Sequence, residues 1–158
     1  MNPKLKSLYA NPIMGAFIAL LGACIFFATQ SDRFLSGQNF SLILQQVMVI
    51  GVIAIGQTLI ILTAGIDLSC GMAMALGSII MTKFATALGL NPAVAVLAGI
   101  LVCVLIGYVN GMLVTRVRLP AFIVTLGMLN IVFAITQLYS NGQTVTDIPQ
   151  SMLFLGTT

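Results

Sequence analysis

The chain contains no glutamate, no histidine and no tryptophan, and its acidic side chains are Asp32, Asp67 and Asp147 alone. Acid–base or nucleophilic catalysis needs at least two cooperating groups. The apolar segments offer one carboxylate, no imidazole, and no Ser/Lys or Asp/Asp pair at helical spacing. No catalytic residue is therefore assigned, and an enzyme acting within the membrane is disfavoured. A phosphate-binding G-x-x-x-x-G-K-[ST] loop is also missing. The three cysteines, Cys24, Cys70 and Cys103, show no C-x-x-C spacing. With no histidine to complete a metal set, they read as small apolar packers, and neither a metal site, a cofactor nor a disulfide framework is expected.

Charge is scarce as well. Only 6% of residues are charged, against 59% hydrophobic, and the mean hydropathy is +1.14. Such a composition does not describe a soluble domain; its solvent is membrane lipid. The formal charge of +3 could suggest nucleic acid, but Lys4 and Lys6 precede the first apolar run, Arg116 and Arg118 share one gap, and Arg33 and Lys83 are isolated. No basic stripe interleaved with aromatics exists, so nucleic acid is not a partner. Clusters at selected loops are instead what the positive-inside bias produces.

What is present is a series of continuous apolar runs. About 20 residues are needed to cross a hydrocarbon core of roughly 30 Å. Five segments meet or approach this, at about 13–29, 40–63, 68–88, 92–115 and 120–139. They lack the period-two alternation of a membrane barrel, so the fold class is all-α, a polytopic transmembrane bundle. The first run follows two lysines but lacks a small-x-small cleavage site, which favours a retained span over a signal peptide. Pro92 and Pro120 stand where a helix accepts proline, in its first turn. Five crossings with the N-terminus cytoplasmic place Lys4, Lys6, Arg116 and Arg118 inside and residues 140–158 outside.

Helices in lipid meet through small residues that let backbones approach. Gly99, Cys103, Gly107 and Gly111 recur every fourth position and make one flat ridge; Ala73 and Gly77 continue the pattern in the preceding run, and Gly15, Ala19 and Ala23 in the first. Polar side chains at membrane depth are costly unless paired or facing water. These include Gln57, Thr58, Asn110, Asn130 and Gln137, of which Gln57, Asn130 and Gln137 are candidates to line a pathway. Gly127, Asn130, Ala134 and Gln137 share a helix face, which serves either as an interhelical hydrogen-bond seam or as the wall of a polar pathway. Asp67 lies between two apolar runs in "ILTAGIDLSCG". With Ser69 it is either a cap for the following helix or a ligand or gate, since interrupted helices often mark a translocation site.

Two stretches, "GQTLIILTAGIDLSCGMAMALG" (56–77) and "GYVNGMLVTRVRLPAFIVTLGML" (107–129), resemble the sugar-type permeases of ATP-binding-cassette transporters. The first is similar to that family's Gly-Gly-Ile-Asp-Leu-Ser-Val-Gly segment, with Ala64 for the first Gly and Cys70 for Val. The second is similar to its Asn-Gly, basic, Pro-Phe-Ile-Val-Thr-Leu-Gly segment, with Ala121 where a second Pro is common. The resemblance implies that residues 1–158 form the N-terminal half of a permease in the bacterial inner (plasma) membrane. It implies an ATP-binding subunit on the cytoplasmic side, an extracytoplasmic solute-binding protein, a second permease copy and a monosaccharide cargo, with ATP hydrolysed on the partner chain. Permeases for branched-chain amino acids, nucleosides or a furanosyl signal molecule are alternatives, as is a membrane scaffold without transport.

Overall fold

The structure, a computed structural model, describes residues 12–146, 148 and 150–153. Lys4, Lys6 and Asp147 lie outside the described residues. Among the described residues there are six helices and no strand: α1 (Pro12–Gln30), α2 (Gly37–Leu62), α3 (Cys70–Thr86), α4 (Pro92–Thr115), α5 (Ala121–Ser140) and the short α6 (Gln150–Leu153). The chain divides into two compact units, Met1–Val52 and Ile53–Thr158.

In the first unit, α1 leads into a turn closed by aromatic rings. Phe27 meets Phe26 edge-on, with centroids 5.4 Å apart, and stacks on Phe34 at 5.9 Å. Ser36 precedes α2, and its hydroxyl accepts from the Asn39 N–H at 3.2 Å. The Asn39 amide in turn donates to the Phe34 carbonyl at 2.8 Å. The first bond satisfies a first-turn amide that has no partner inside the helix, and the second ties the Asn39 side chain back to the preceding turn.

The second unit is built around α3, which packs along α4 and more lightly against α5. The reason lies in its small residues. Ala73, Gly77 and Ala85 line one face of α3 and are buried, opposite Ala95 and Gly99 of α4. A Cβ on Gly99 would stand 2.6 Å from the Gly77 carbonyl oxygen, and one on Gly77 would stand 2.6 Å from Cys103 Sγ. The two backbones touch here, a contact that only glycine permits. Farther along, Ala85 and Ala95 meet Met152 of α6, flanked by Met81, Phe84 and Val96. The buried side of α5 carries Val124, Thr125, Val132, Thr136 and Ser140.

Several boundaries differ from those expected. The 92–115 span is found as such, whereas the one expected at 68–88 shortens to the 17 residues of α3. At about 1.5 Å per residue that is about 25 Å of helix. The shortening arises because residues up to Ser69 form a loop. By length and apolarity, α2, α4 and α5 are membrane-crossing helices among the described residues, while Met14–Gln30 of α1 and α3 are shorter apolar helices. Pro92 occupies the start of α4, behind an Asn91 side chain that accepts from the Ala93 N–H at 2.9 Å. Pro120 sits one position ahead of α5 rather than within its first turn.

Candidate functional site: the loop between α2 and α3

The loop begins where α2 stops. Gly65 N–H returns to the Ile60 carbonyl at 3.0 Å and Ala64 N–H to Ile61 at 2.9 Å, the paired closure of a Schellman motif. That closure requires a left-handed residue, and Ala64 supplies it at φ 58°. The chain then runs unpaired through Ile66 to Ser69, where backbone groups in an apolar setting need partners from elsewhere.

Those partners come from three other helices. Gln57 of α2 donates Nε2 to the Asp67 carbonyl at 2.9 Å and to Cys70 Sγ at 2.8 Å. Thr125 of α5 donates its hydroxyl to the Ile66 carbonyl at 3.0 Å and shares it with Ala121 of its own helix at 2.8 Å. Asn110 of α4 donates Nδ2 to Ser69 Oγ at 2.8 Å. Ser69 is 1% exposed and Asn110 6%. The loop is therefore bolted by one side chain each from α2, α4 and α5.

The half-buried Asp67 carboxylate turns inward on its own loop. Its Oδ1 accepts from the Ser69 N–H and from Ser69 Oγ, both at 2.7 Å, an Asx turn. Ser69, not Asp67, holds the N-cap position of α3, and its side chain makes no capping bond. The carboxylate thus orders the residue ahead of the helix rather than the first-turn amides. Ser69 Oγ relays between Asn110, from which it accepts, and Asp67, to which it donates.

Of the other residues singled out in the sequence, Gln57 joins this cluster and Gly99 forms the α3–α4 contact. Asn130 and Gln137 do not approach the loop. They lie exposed on α5 with Gly127 and Ala134, on the side away from its buried residues, and Asn130 Nδ2 returns to the Leu126 carbonyl at 2.8 Å. The Gly107 and Gly111 positions face open space, with no atom of the described residues in contact with a Cβ placed there. The ridge that begins at Gly99 is thus a helix contact within this chain only at its first part. Asn110 was legible only as a polar residue at depth, and Thr125 gave no signal, because a threonine inside a helix commonly bonds its own preceding turn.

At the other end of α3, Lys83 donates to the Tyr139 carbonyl and lies 4.8 Å from the centre of that ring. An open groove of about 530 Å³ runs past Lys83, Ser140, Asn141, Gln143 and Thr146.

Apolar helices of membrane-crossing length, small-residue contacts and a pinned polar loop between two helices define an integral-membrane helical protein. The chain belongs to the family described as branched-chain amino acid transport system / permease component, which matches residues 39–154. It is 46% identical over 139 residues to the fructose import permease protein of Rhizobium meliloti, covering 87% of this chain and 39% of that protein. Over 130 residues it is 38% identical to the ribose import permease protein of Escherichia coli K12, covering 82% of this chain and 40% of the relative. An autoinducer 2 import system permease protein of Photorhabdus luminescens is 31% identical over 150 residues, 94% of this chain and 44% of that one. The chain spans about two-fifths of the length of these curated relatives. No solved structure matches it.

Proposed function

We propose that residues 1–158 are the N-terminal half of a permease that carries a monosaccharide across the inner membrane as part of an ATP-binding-cassette importer. The observation that carries this reading is the 46% identity to a fructose import permease over 87% of the chain. An ATP-binding subunit would hydrolyse ATP on the cytoplasmic side, and a solute-binding protein would deliver the sugar from outside. A second permease copy would complete the translocator. The chain itself supplies helices, not chemistry.

In this reading the exposed α5 face of Gly127, Asn130, Ala134 and Gln137 lines the pathway. Two amides exposed at membrane depth are costly against lipid but suit a hydroxyl-bearing cargo that exchanges hydrogen bonds weakly and in passing. Gln57, Asp67 and Ser69 would act at the cytoplasmic end, where the loop meets α4 and α5, as a gate whose shape depends on all three bolts. The N-terminus would be cytoplasmic. The autoinducer 2 relative makes a furanosyl signal molecule the second reading.

The test is ATP-dependent uptake into proteoliposomes holding the full-length transporter, its ATPase and its binding protein. Labelled fructose and ribose are compared with a furanosyl signal molecule, leucine and a nucleoside. Saturable uptake of one monosaccharide, lost with an ATPase-dead subunit, is expected. Uptake of leucine or the nucleoside alone would replace the sugar, and uptake of none would favour a scaffold.

A further inference from the structure

The Asn110 side chain is 94% buried by its 6% exposure, yet its Oδ1 is a buried side-chain oxygen without a hydrogen-bond partner among the described residues. Reversing the amide does not remove the problem. Oδ1 and Asp67 Oδ1 would then compete for the single Ser69 hydroxyl hydrogen, and one acceptor would still be left over. In the observed orientation the chain Asn110 Nδ2 to Ser69 Oγ to Asp67 Oδ1 is consistent at each link, and one acceptor is left over. A buried acceptor without a donor is expensive, about 1–3 kcal/mol, and a native fold ordinarily supplies one.

The surroundings limit what the donor can be. A hard cation takes six or more oxygen ligands, but three of the loop's carbonyls are already engaged: the Ile66 carbonyl with Thr125, the Asp67 carbonyl with Gln57, and the Ser69 carbonyl with the Ala73 N–H. An anion would face the amide oxygen, with the Asp67 carboxylate two hydrogen bonds away through Ser69. The Asn110 amide is held on the N-cap of α3, whose first-turn N–H groups at Cys70, Gly71 and Met72 have no carbonyl inside the helix and no cap from Ser69. A small neutral group that both donates and accepts answers this combination, giving its hydrogen to Asn110 Oδ1 and taking one from the helix end. That group is an O–H.

We propose that Asn110 Oδ1 and the N-terminus of α3 form a buried hydroxyl site, filled by one O–H group that belongs either to an ordered water or to the cargo. The cargo source rests on the sugar-importer reading; the water source does not. In either case Asn110 does more than hold Ser69, since it reads a group that the protein itself does not provide.

Infrared difference spectroscopy on the full-length transporter in lipid, with ¹³C on every asparagine side-chain carbonyl, isolates the Asn110 band by subtracting the Asn110→Leu variant. Should that variant fail to fold, Asn110→Asp, of the same shape, serves the same subtraction. A band at the lowered frequency of a hydrogen-bonded carbonyl, present without sugar and returning to the free-carbonyl frequency when the lipid film is dried, assigns the site to water. A band that drops to that frequency only when D-fructose or D-ribose is added assigns it to a cargo hydroxyl. The proposal is overturned by a free-carbonyl frequency under all conditions. It is equally overturned by a bonded band indifferent to both drying and sugar, which would place the donor in the rest of the protein. Absence of uptake by the wild type would remove the importer reading while the sugar-free spectrum still decides the site.

Discussion

Ala64 holds a left-handed backbone, φ 58°, at the position that closes α2. A residue with a Cβ is about 1–2 kcal/mol less stable there than in the right-handed region, and glycine, free of that penalty, loses some of the gain to its floppier unfolded chain. Ala64→Gly should therefore raise stability by about 0.5–1 kcal/mol, read as a higher thermal midpoint for the full-length permease in detergent; an unchanged or lower midpoint would contradict the strain. At Asp67, the two bonds from Ser69 need an oxygen acceptor and no charge. Asp67→Asn should keep the turn, assembly and most uptake, whereas Asp67→Ala should weaken the turn by about 0.5–2 kcal/mol and lower both. A well-folded Asp67→Asn transporter with no uptake would make the carboxylate itself functional.

Between α3 and α4 the prediction concerns one crossing point. A Cβ on Gly99 meets the Gly77 carbonyl and the Met81 Cβ, backbone and near-backbone atoms that no rotamer change can move aside. Gly99→Ala must push the helices apart, at a cost of about 1–3 kcal/mol by the usual scale of overpacking. Gly107→Ala, with open space around it in this chain, should leave the α3–α4 pair intact. Disulfide trapping between cysteines placed at facing positions of α3 and α4 measures both: trapping should fall in Gly99→Ala and persist in Gly107→Ala. Loss of assembly in a Gly107→Leu transporter with α3–α4 trapping preserved would assign Gly107 to a contact outside this chain.

For the whole molecule, orientation is the property on which the transport reading depends. With the N-terminus inside, Thr115 faces the cytoplasm and the 141–146 turn faces outward. Both Thr115 and Gln143 are exposed, so single cysteines there, in a background lacking Cys24, Cys70 and Cys103, suit membrane-impermeant labelling. Gln143→Cys should react in intact spheroplasts and Thr115→Cys only after the membrane is opened. The reverse pattern would invert the topology and move the pinned loop to the extracytoplasmic side.

Composition determined that this chain belongs in a membrane, because 59% hydrophobic and 6% charged residues leave few other places for it to fold, and runs without period-two alternation made it helical. The runs located the helices for the same reason, and period-four glycines marked where backbones could approach. Tertiary structure decided which of those opportunities were taken. Gly99 and Gly107 belong to one stripe and look alike in sequence, yet only Gly99 faces α3, since a period of four against 3.6 residues per turn winds the stripe round the helix, while Asn110, beyond Gly107, is again on the buried side. The site was legible in "GIDLS", where a carboxylate interrupts apolar sequence. Its bolts were not, because Asn110 and Thr125 reach it from 41 and 59 residues away. Periodicity reports which face a side chain occupies; it carries no information on what stands opposite. The pairing of Asn110 with Ser69, and the oxygen it leaves without a donor, exist only once α4 is laid against the start of α3.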